Sequence, residues 1–202
     1  MGCSPVRIYV VGPSSSGKTT LCNALAEEMC QRGWSFSYTT EMARDVMRKA
    51  GFSRAPIGNV EMQEAIIAAY WTREQEIRTV ECRAEEVHLF DRCAVDAVVY
   101  ALLTAEDNEQ KEQRWDKLVL TLPFQEMLTT CYRTSSSIII LLRPVAQWIV
   151  DDGVRFLEDP TTSLEMFRRV LQRLNLEYQE IGEDMLNIEH RVHFMVQHIG
   201  TQ

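Results

Sequence analysis

The sequence predicts an α/β fold in which a parallel sheet is covered by helices. Strand-like and helix-like segments alternate along nearly the whole chain, and strands separated by helices imply right-handed crossovers. The apolar positions of "SIIILL", Ser137–Leu142, are consecutive, as a strand covered on both faces requires. A second apolar run, Arg7–Val11, opens directly into a glycine-bounded Ser/Pro loop, and a helical pattern follows it.

Taken in order, a strand at Arg7–Val11 leads through that loop into a helix at about Lys18–Gln31. "WSFSYTT", Trp34–Thr40, reads as a second strand and Glu41–Ala50 as a helix. "GFSRAPIGN" is a loop with Pro56 and two glycines, after which Val60–Arg83 holds helical spacing without a breaker. "EVHLFD", Glu86–Asp91, is a short buried strand, and Asp96–Leu103 returns to helix. The charged stretch Glu106–Asp116 is expected to surround a solvent-exposed turn, with mixed helix interrupted near Pro123 over Leu118–Tyr132. After the Ser137–Leu142 strand come an amphipathic helix at Thr161–Asn175, a last strand at Glu177–Ile181 and a closing helix at Glu183–Ile199.

Composition narrows the function classes. The 202 residues are 46% hydrophobic and 25% charged, ordinary for one soluble domain. A formal net charge of −8 argues against broad charge-driven binding to nucleic acid or an anionic membrane. Six scattered cysteines form no CxxC pair and read as reduced thiols of a cytoplasmic protein. The longest apolar run is too short to span a bilayer, and Arg7 follows the first residues too soon for a signal peptide. Gly2 and Cys3 are lipidation candidates, but Val6 stands where the myristoylation pattern wants Ser or Thr.

"GPSSSGKT", Gly12–Thr19, fills every fixed position of GxxxxGK[ST]. Gly12 and Gly17 let the backbone curl so that the amides of Ser14, Ser15 and Ser16 point inward at an anion. The helix that starts near Lys18 adds its positive end to the same anion, beside Thr20. Lys18 reaches the β- and γ-phosphates, and the Thr19 hydroxyl is a Mg²⁺ ligand. The chain is therefore expected to bind a nucleoside triphosphate.

A GTPase, a motor ATPase and a small-molecule kinase compete for that loop. Nothing resembles the NKxD guanine-reading motif. An apolar strand ending in Asp91 supplies a water-mediated Mg²⁺ ligand, but Arg92 follows where a motor would place a Glu to polarise water. Arginine cannot act as that base, whereas it can clamp phosphate oxygens and offset transition-state charge. That favours transfer to a bound acceptor over hydrolysis.

Glu41, at the end of the second strand, falls at the carboxyl edge of the sheet, where open α/β proteins bind ligands. It could accept the acceptor's hydroxyl proton, hydrogen-bond a sugar or hold Mg²⁺ through water; alternatively it is a helix-start carboxylate with Arg44 as its partner. In "WIVDDGVRF", Arg155 is a candidate for γ-phosphate charge on a mobile flap, paired with Asp151 or Asp152 when open. The same segment also reads as a surface turn built on Asp-Gly. Asp96 and Tyr100, four apart on one helix, either contact the acceptor or are a helix start and a core aromatic. The four histidines form no ligand set, and the tryptophans read as packing residues.

"GPSSSGKTTL", "TTEMAR", "FDRCAVDAVVY" and "WIVDDGVR", in this order and spacing, resemble the P-loop ATPase/kinase family of the bacterial ribosylnicotinamide kinase domain. A eukaryotic nucleotide-binding trafficking protein belongs to that family as well. The resemblance runs from about Arg7 to Arg191. It implies a nucleoside- or nucleotide-kinase-like P-loop fold with a five-stranded parallel sheet and a helical lid, here about residues 144–160. It further implies that Lys18, Thr19 and Asp91 bind Mg-ATP, that Asp96 and Tyr100 follow the Asp-Arg motif, and that Arg155 belongs to the lid. "EIGEDMLNIEHR" looks like the closing strand–loop–helix that cradles the adenine, with Gly182 at the turn and Arg191 on the helix. The family's Gln before the third strand has two candidates, Gln63 and Gln75.

No nicotinamide-adenylyltransferase domain accompanies these motifs, so one kinase-like domain over residues 1–202 is expected. The expected activity is Mg-ATP-dependent phosphoryl transfer to a small hydroxyl acceptor, a nucleoside such as nicotinamide riboside. The alternative is a non-catalytic ATP- or GTP-binding switch for a protein or lipid partner.

Overall fold

A computed structural model describes residues 5–49, 51–52, 58–79, 87–145 and 159–199. Residues 146–158 of the expected lid, Arg155 among them, and Gly2 and Cys3 lie outside the described residues. Five strands form one sheet: β1 (Val6–Val11), β2 (Phe36–Thr39), β3 (Val87–Asp91), β4 (Ser137–Leu142) and β5 (Gln179–Ile181). Their order is β2-β3-β1-β4-β5, and every neighbouring pair is parallel. The helices are α1 (Lys18–Gln31), α2 (Ala43–Lys49), α3 (Val60–Thr79), α4 (Ala94–Leu103), α5 (Asn108–Val119), α6 (Leu122–Met127), α7 (Pro160–Arg173) and α8 (Ile188–Ile199). A π-helical turn, Leu128–Tyr132, continues α6.

The consecutive apolar positions of the strands divide by alternation between two cores. Ile8, Val10, Leu89, Ile138, Ile140 and Leu142 face Leu21, Leu25 and Met29 of α1 and Val192 and Met195 of α8. Tyr9, Val11, Phe90, Ile139 and Leu141 face the other way, toward Ile66 and Tyr70 of α3, Val98 of α4 and Phe167 of α7. Side chains alternate with a period of two, so a strand with helices on both sides buries both faces, and a polar residue there, such as Arg7 or His88, needs a buried partner.

Two of the stretches that differ from the sequence-based expectation bear on the helices. Glu106–Asp116 is mostly helix, not the surround of an exposed turn: Asp107 caps α5 by accepting the Gln110 N–H at 2.8 Å. The helix buries Trp115, Leu118 and Val119 only near its end, so its apolar face is hidden from a reading that stops at the charges. The closing helix begins at Ile188, five residues later than expected, because Asn187 Oδ1 accepts the N–H groups of Glu189 (2.7 Å) and His190 (3.3 Å). Among the described residues no helix is long and apolar enough to cross a membrane.

Candidate active site

β1 is the strand at which the order of the sheet turns, with β3 on one side and β4 on the other. The carboxyl ends of strands at such a point form a crevice. A cavity of about 690 Å³ lies there. It runs from Thr40, Glu41 and Arg44, beyond β2, across the glycine-rich loop to Leu186, Ile188 and Arg191, beyond β5.

The loop backbone is shaped for an anion. Gly12 has φ 143°, and a Cβ there would stand 2.5 Å from the Leu142 carbonyl oxygen, so neither the conformation nor the space admits a side chain. Ser15 (φ 59°) and Gly17 (φ 86°) are both left-handed, a sequence of turns that points successive amides to one side. Gly17 stands at the N-cap of α1 without a side-chain cap, and the first turn carries no acidic residue. The orphan amides and positive helix end therefore remain available to a ligand.

Lys18 folds back over this loop. Its Nζ donates to the carbonyls of Gly12 (2.8 Å) and Pro13 (2.5 Å) and to Ser16 Oγ (3.3 Å). The side chain is buried, and burial, then the Arg92 charge, brings its ammonium down to about 7. Ser14 turns outward from the loop to meet the Tyr100 hydroxyl at 3.1 Å, while Thr20 lines the cavity.

Beside the loop, Thr19 Oγ1 donates to Asp91 Oδ2 at 2.5 Å. The other carboxylate oxygen of Asp91, Oδ1, is buried with no hydrogen-bond partner. A buried, unsatisfied carboxylate oxygen next to a hydroxyl is costly in isolation and suits a hard divalent cation with oxygen ligands. These residues thus fit Mg²⁺.

Arg92, the residue after Asp91, has a left-handed backbone (φ 73°) although it is not glycine. Its Nη1 donates to Asp96 Oδ1 (3.2 Å) and to the Tyr100 hydroxyl (3.3 Å). Its Nε lies 3.3 Å from Glu41 Oε1 as an ion pair, outside hydrogen-bond geometry. Glu41 sits in the loop before α2, not on the helix as expected, and still pairs with the exposed Arg44 at 3.5 Å. Asp96 and Tyr100 are buried and border Arg92; Asp96 Oδ2 also accepts the Cys93 N–H at 3.0 Å and so starts α4. Burial pushes the Asp96 carboxyl up to about 6 against the pull of Arg92 and Lys18.

At the β5 end, Gly182 makes room for Arg143, whose Nε would lie 2.3 Å from a Cβ at that position. Arg191 is buried, and its guanidinium donates to the carbonyls of Met185 (2.5 Å) and Gly182 (3.0 Å), closing the loop that leads into α8. Leu186 and Ile188 line the cavity there. Sequence reasoning passed over both, since apolar residues at the start of a helix are ordinarily assigned to its core face. Of the two glutamine candidates, Gln63 is buried in α3 and Gln75 donates to Glu126 at 3.0 Å.

No curated protein sequence matches the chain. Among solved structures it is similar to the NadR protein in complex with NR, at 18% identity and TM-score 0.67, over 98% of this chain and 52% of that one. NadR in complex with NAD and AMP-PNP superposes similarly, at 18% identity and TM-score 0.68, over 98% and 50% of the two chains. The chain thus spans about half the length of these relatives. The thymidylate kinase of Ehrlichia chaffeensis matches over 97% of this chain and 99% of its own at 15% identity and TM-score 0.61. These likenesses give the fold, that of the P-loop kinases. A family model described as an AAA domain matches residues 7–191, and the chain belongs to that family, AAA_28.

Proposed function

We propose that the chain is a Mg-ATP-dependent phosphotransferase for a small hydroxyl acceptor, with a nucleoside such as nicotinamide riboside as the leading acceptor. The observation that carries this reading is the shared cavity: the phosphate loop and Thr19–Asp91 pair open into the same space as Glu41. The residue beside Asp91 is an arginine, which cannot activate water.

In this reading Lys18 exchanges its own loop carbonyls for phosphate oxygens, and the uncapped amides of α1 hold the triphosphate. Thr19 and, through water, Asp91 would hold Mg²⁺, which would offset negative charge on the phosphate oxygens. Glu41 takes the proton as the acceptor oxygen bonds to the γ-phosphorus and the bond to ADP breaks. Arg92, steadied by Asp96 and Tyr100, offsets the negative charge of the transferring group, and Arg155 is assigned the same task from the lid. Positioning and electrostatics supply most of such catalysis.

Product-resolved turnover tests it: Mg-ATP and a pool of nucleosides, nucleotides and small alcohols, with products read by mass against Lys18→Ala. A phosphorylated acceptor absent from the blank is expected. Glu41→Gln should lose turnover by roughly a hundredfold or more, typical of a general base, and keep nucleotide binding. Nucleotide binding without any product in the wild-type chain would leave a nucleotide-dependent switch instead.

A further inference from the structure

Resting on that reading, we infer that Tyr100 is a positioning residue of the transfer reaction: its hydroxyl braces Arg92 against the phosphate loop, and it touches neither substrate. Tyr100 is not among the residues that line the cavity, whereas Arg92 is. It is 8% exposed, and its ring meets Phe167 of α7 edge-on, with centroids 6.3 Å apart. That packing fixes where the hydroxyl stands.

The hydroxyl joins two elements that lie far apart along the chain. Arg92 Nη1 is 3.3 Å away on one side and Ser14 Oγ 3.1 Å away on the other. A guanidinium has protons to give and no site to accept one, so the phenol oxygen is the acceptor in the first contact. Its own proton is then left for Ser14 Oγ, its other partner among the described residues. The relay runs from guanidinium to phenol to serine, and the charge at its head polarises both bonds. Asp96 Oδ1 shares the same Nη1 at 3.2 Å, and the guanidinium carbon stands 5.7 Å from the centre of the Tyr100 ring. Held by these contacts, Arg92 turns its Nε to Glu41 Oε1 at 3.3 Å.

Packing alone does not require this arrangement. A phenylalanine would fill nearly the same volume and keep the edge contact with Phe167, whereas a hydroxyl costs free energy to bury unless it is bonded. Here both of its bonds go to the site. One reaches the loop that would hold the phosphates, and the other reaches the arginine that would offset charge on the transferring group. The guanidinium is thereby set relative to the phosphate loop and not to α4 alone. A cation stabilises developing charge best when it is held in place before the charge appears. The hydroxyl should therefore act on kcat and leave the binding of both substrates almost untouched.

The experiment is steady-state turnover of Tyr100→Phe, Ser14→Ala and the double variant, with Mg-ATP and the acceptor phosphorylated from the pool named above. Calorimetric binding of Mg-AMP-PNP to each full chain accompanies it. Tyr100→Phe removes the hydroxyl and keeps the ring. Its kcat is expected to fall about tenfold, the scale of one charge-assisted hydrogen bond. The acceptor KM and the AMP-PNP dissociation constant should each stay within about threefold of wild type. Ser14→Ala should lower the kcat of the wild type by about threefold or more and that of Tyr100→Phe by less than about twofold, because the two hydroxyls act as one unit. A Tyr100→Phe variant within twofold of wild type in kcat overturns the inference. So does a loss that falls on acceptor KM, which would make Tyr100 an acceptor contact, or on AMP-PNP binding, which would make its role one of folding the loop. Losses that multiply in the double variant overturn it as well. In each of those cases the wild-type chain still forms product and the kinase reading stands. A wild-type chain that binds Mg-AMP-PNP and phosphorylates nothing removes both.

Discussion

With Lys18 as the proposed phosphate ligand, nucleotide binding is expected to be proton-linked. In the free chain its ammonium is buried beside Arg92 and held at about 7, against an ordinary 10.5. In the proposed complex a triphosphate would replace three neutral loop acceptors with negative oxygens and so return the lysine to its protonated form across the neutral range. The sign follows: above pH 7 the free chain has lost the proton and the complex has kept it, so binding takes one up and affinity falls as pH rises. With the free group at about 7, about 0.9 proton is taken up per nucleotide at pH 8, and affinity drops roughly tenfold per pH unit beyond it. From pH 7 to pH 8 alone the loss is about fivefold, or about 1 kcal/mol. Calorimetry at pH 8 in buffers of different ionisation enthalpy reads the uptake directly, using the non-hydrolysed analogue AMP-PNP with Mg²⁺, whose own phosphates are already ionised. Lys18→Met should lose both the affinity and the uptake. An uptake below about 0.2 proton at pH 8 would refute the reasoning, because the lysine would then be charged before the ligand arrives.

Other perturbations separate scaffold from site. Glu74 is buried at the amino end of the sheet, accepting from Arg7 Nε at 3.0 Å and from the Tyr9 hydroxyl at 2.5 Å. Glu74→Ala strands a buried guanidinium and should cost about 3–5 kcal/mol in urea unfolding; Glu74→Gln should cost less than half of that, with nucleotide affinity unchanged in both. Gly12→Ala forces a Cβ to 2.5 Å from the Leu142 oxygen at φ 143°, so a loss of about 2–4 kcal/mol in stability together with loss of nucleotide binding is expected. His88 is buried, with Nδ1 on Ser37 Oγ at 2.7 Å and Nε2 unpartnered, and burial beside Arg7 and Arg73 lowers its pKa to about 4. The unfolded chain takes that proton near 6.5, so stability is flat above pH 6.5 and falls by about 3 kcal/mol as pH drops to 4. An NMR titration that finds His88 protonating near 6.5 would contradict this.

What the sequence made legible was local. Two strands were readable because a strand covered on both faces leaves a continuous apolar run, as β1 and β4 do. The loop from Gly12 to Thr19 was readable because its chemistry is written in consecutive residues. The α5 helix was missed because its N-terminal half is solvated and its buried side chains come at its end. Contacts made only by folding were not accessible. Ser14 and Tyr100 meet across 86 positions, and no periodicity of either segment announces that meeting. Arg191 lines the cavity, but its bonds to Gly182 and Met185 depend on how the loop closes, which a residue type alone does not encode.

The backbone at Arg92 shows how the site is held together. A left-handed arginine costs on the order of 1–3 kcal/mol, and such a conformation persists only where its surroundings over-determine it. Here they do so from three sides. The Arg92 N–H is fixed to the Val10 carbonyl at 3.0 Å, which ties it to β1 just before the phosphate loop. The next residue, Cys93, is held by Asp96, which starts α4 with one carboxylate oxygen and takes Arg92 Nη1 with the other. Tyr100, one turn further along α4, receives the same Nη1 and meets Ser14 of the loop. The turn into the left-handed region lets the chain leave β3 and enter α4 within two residues, while the guanidinium swings back toward Glu41. Arg92→Gly would relieve the backbone but leave Asp96 buried without its ion-pair partner, with the charge of Lys18 alone to offset it, and the desolvated carboxylate would outweigh the relief. The strain therefore belongs to the aim of the side chain, and it is sustained by the same network that links the phosphate loop to Glu41.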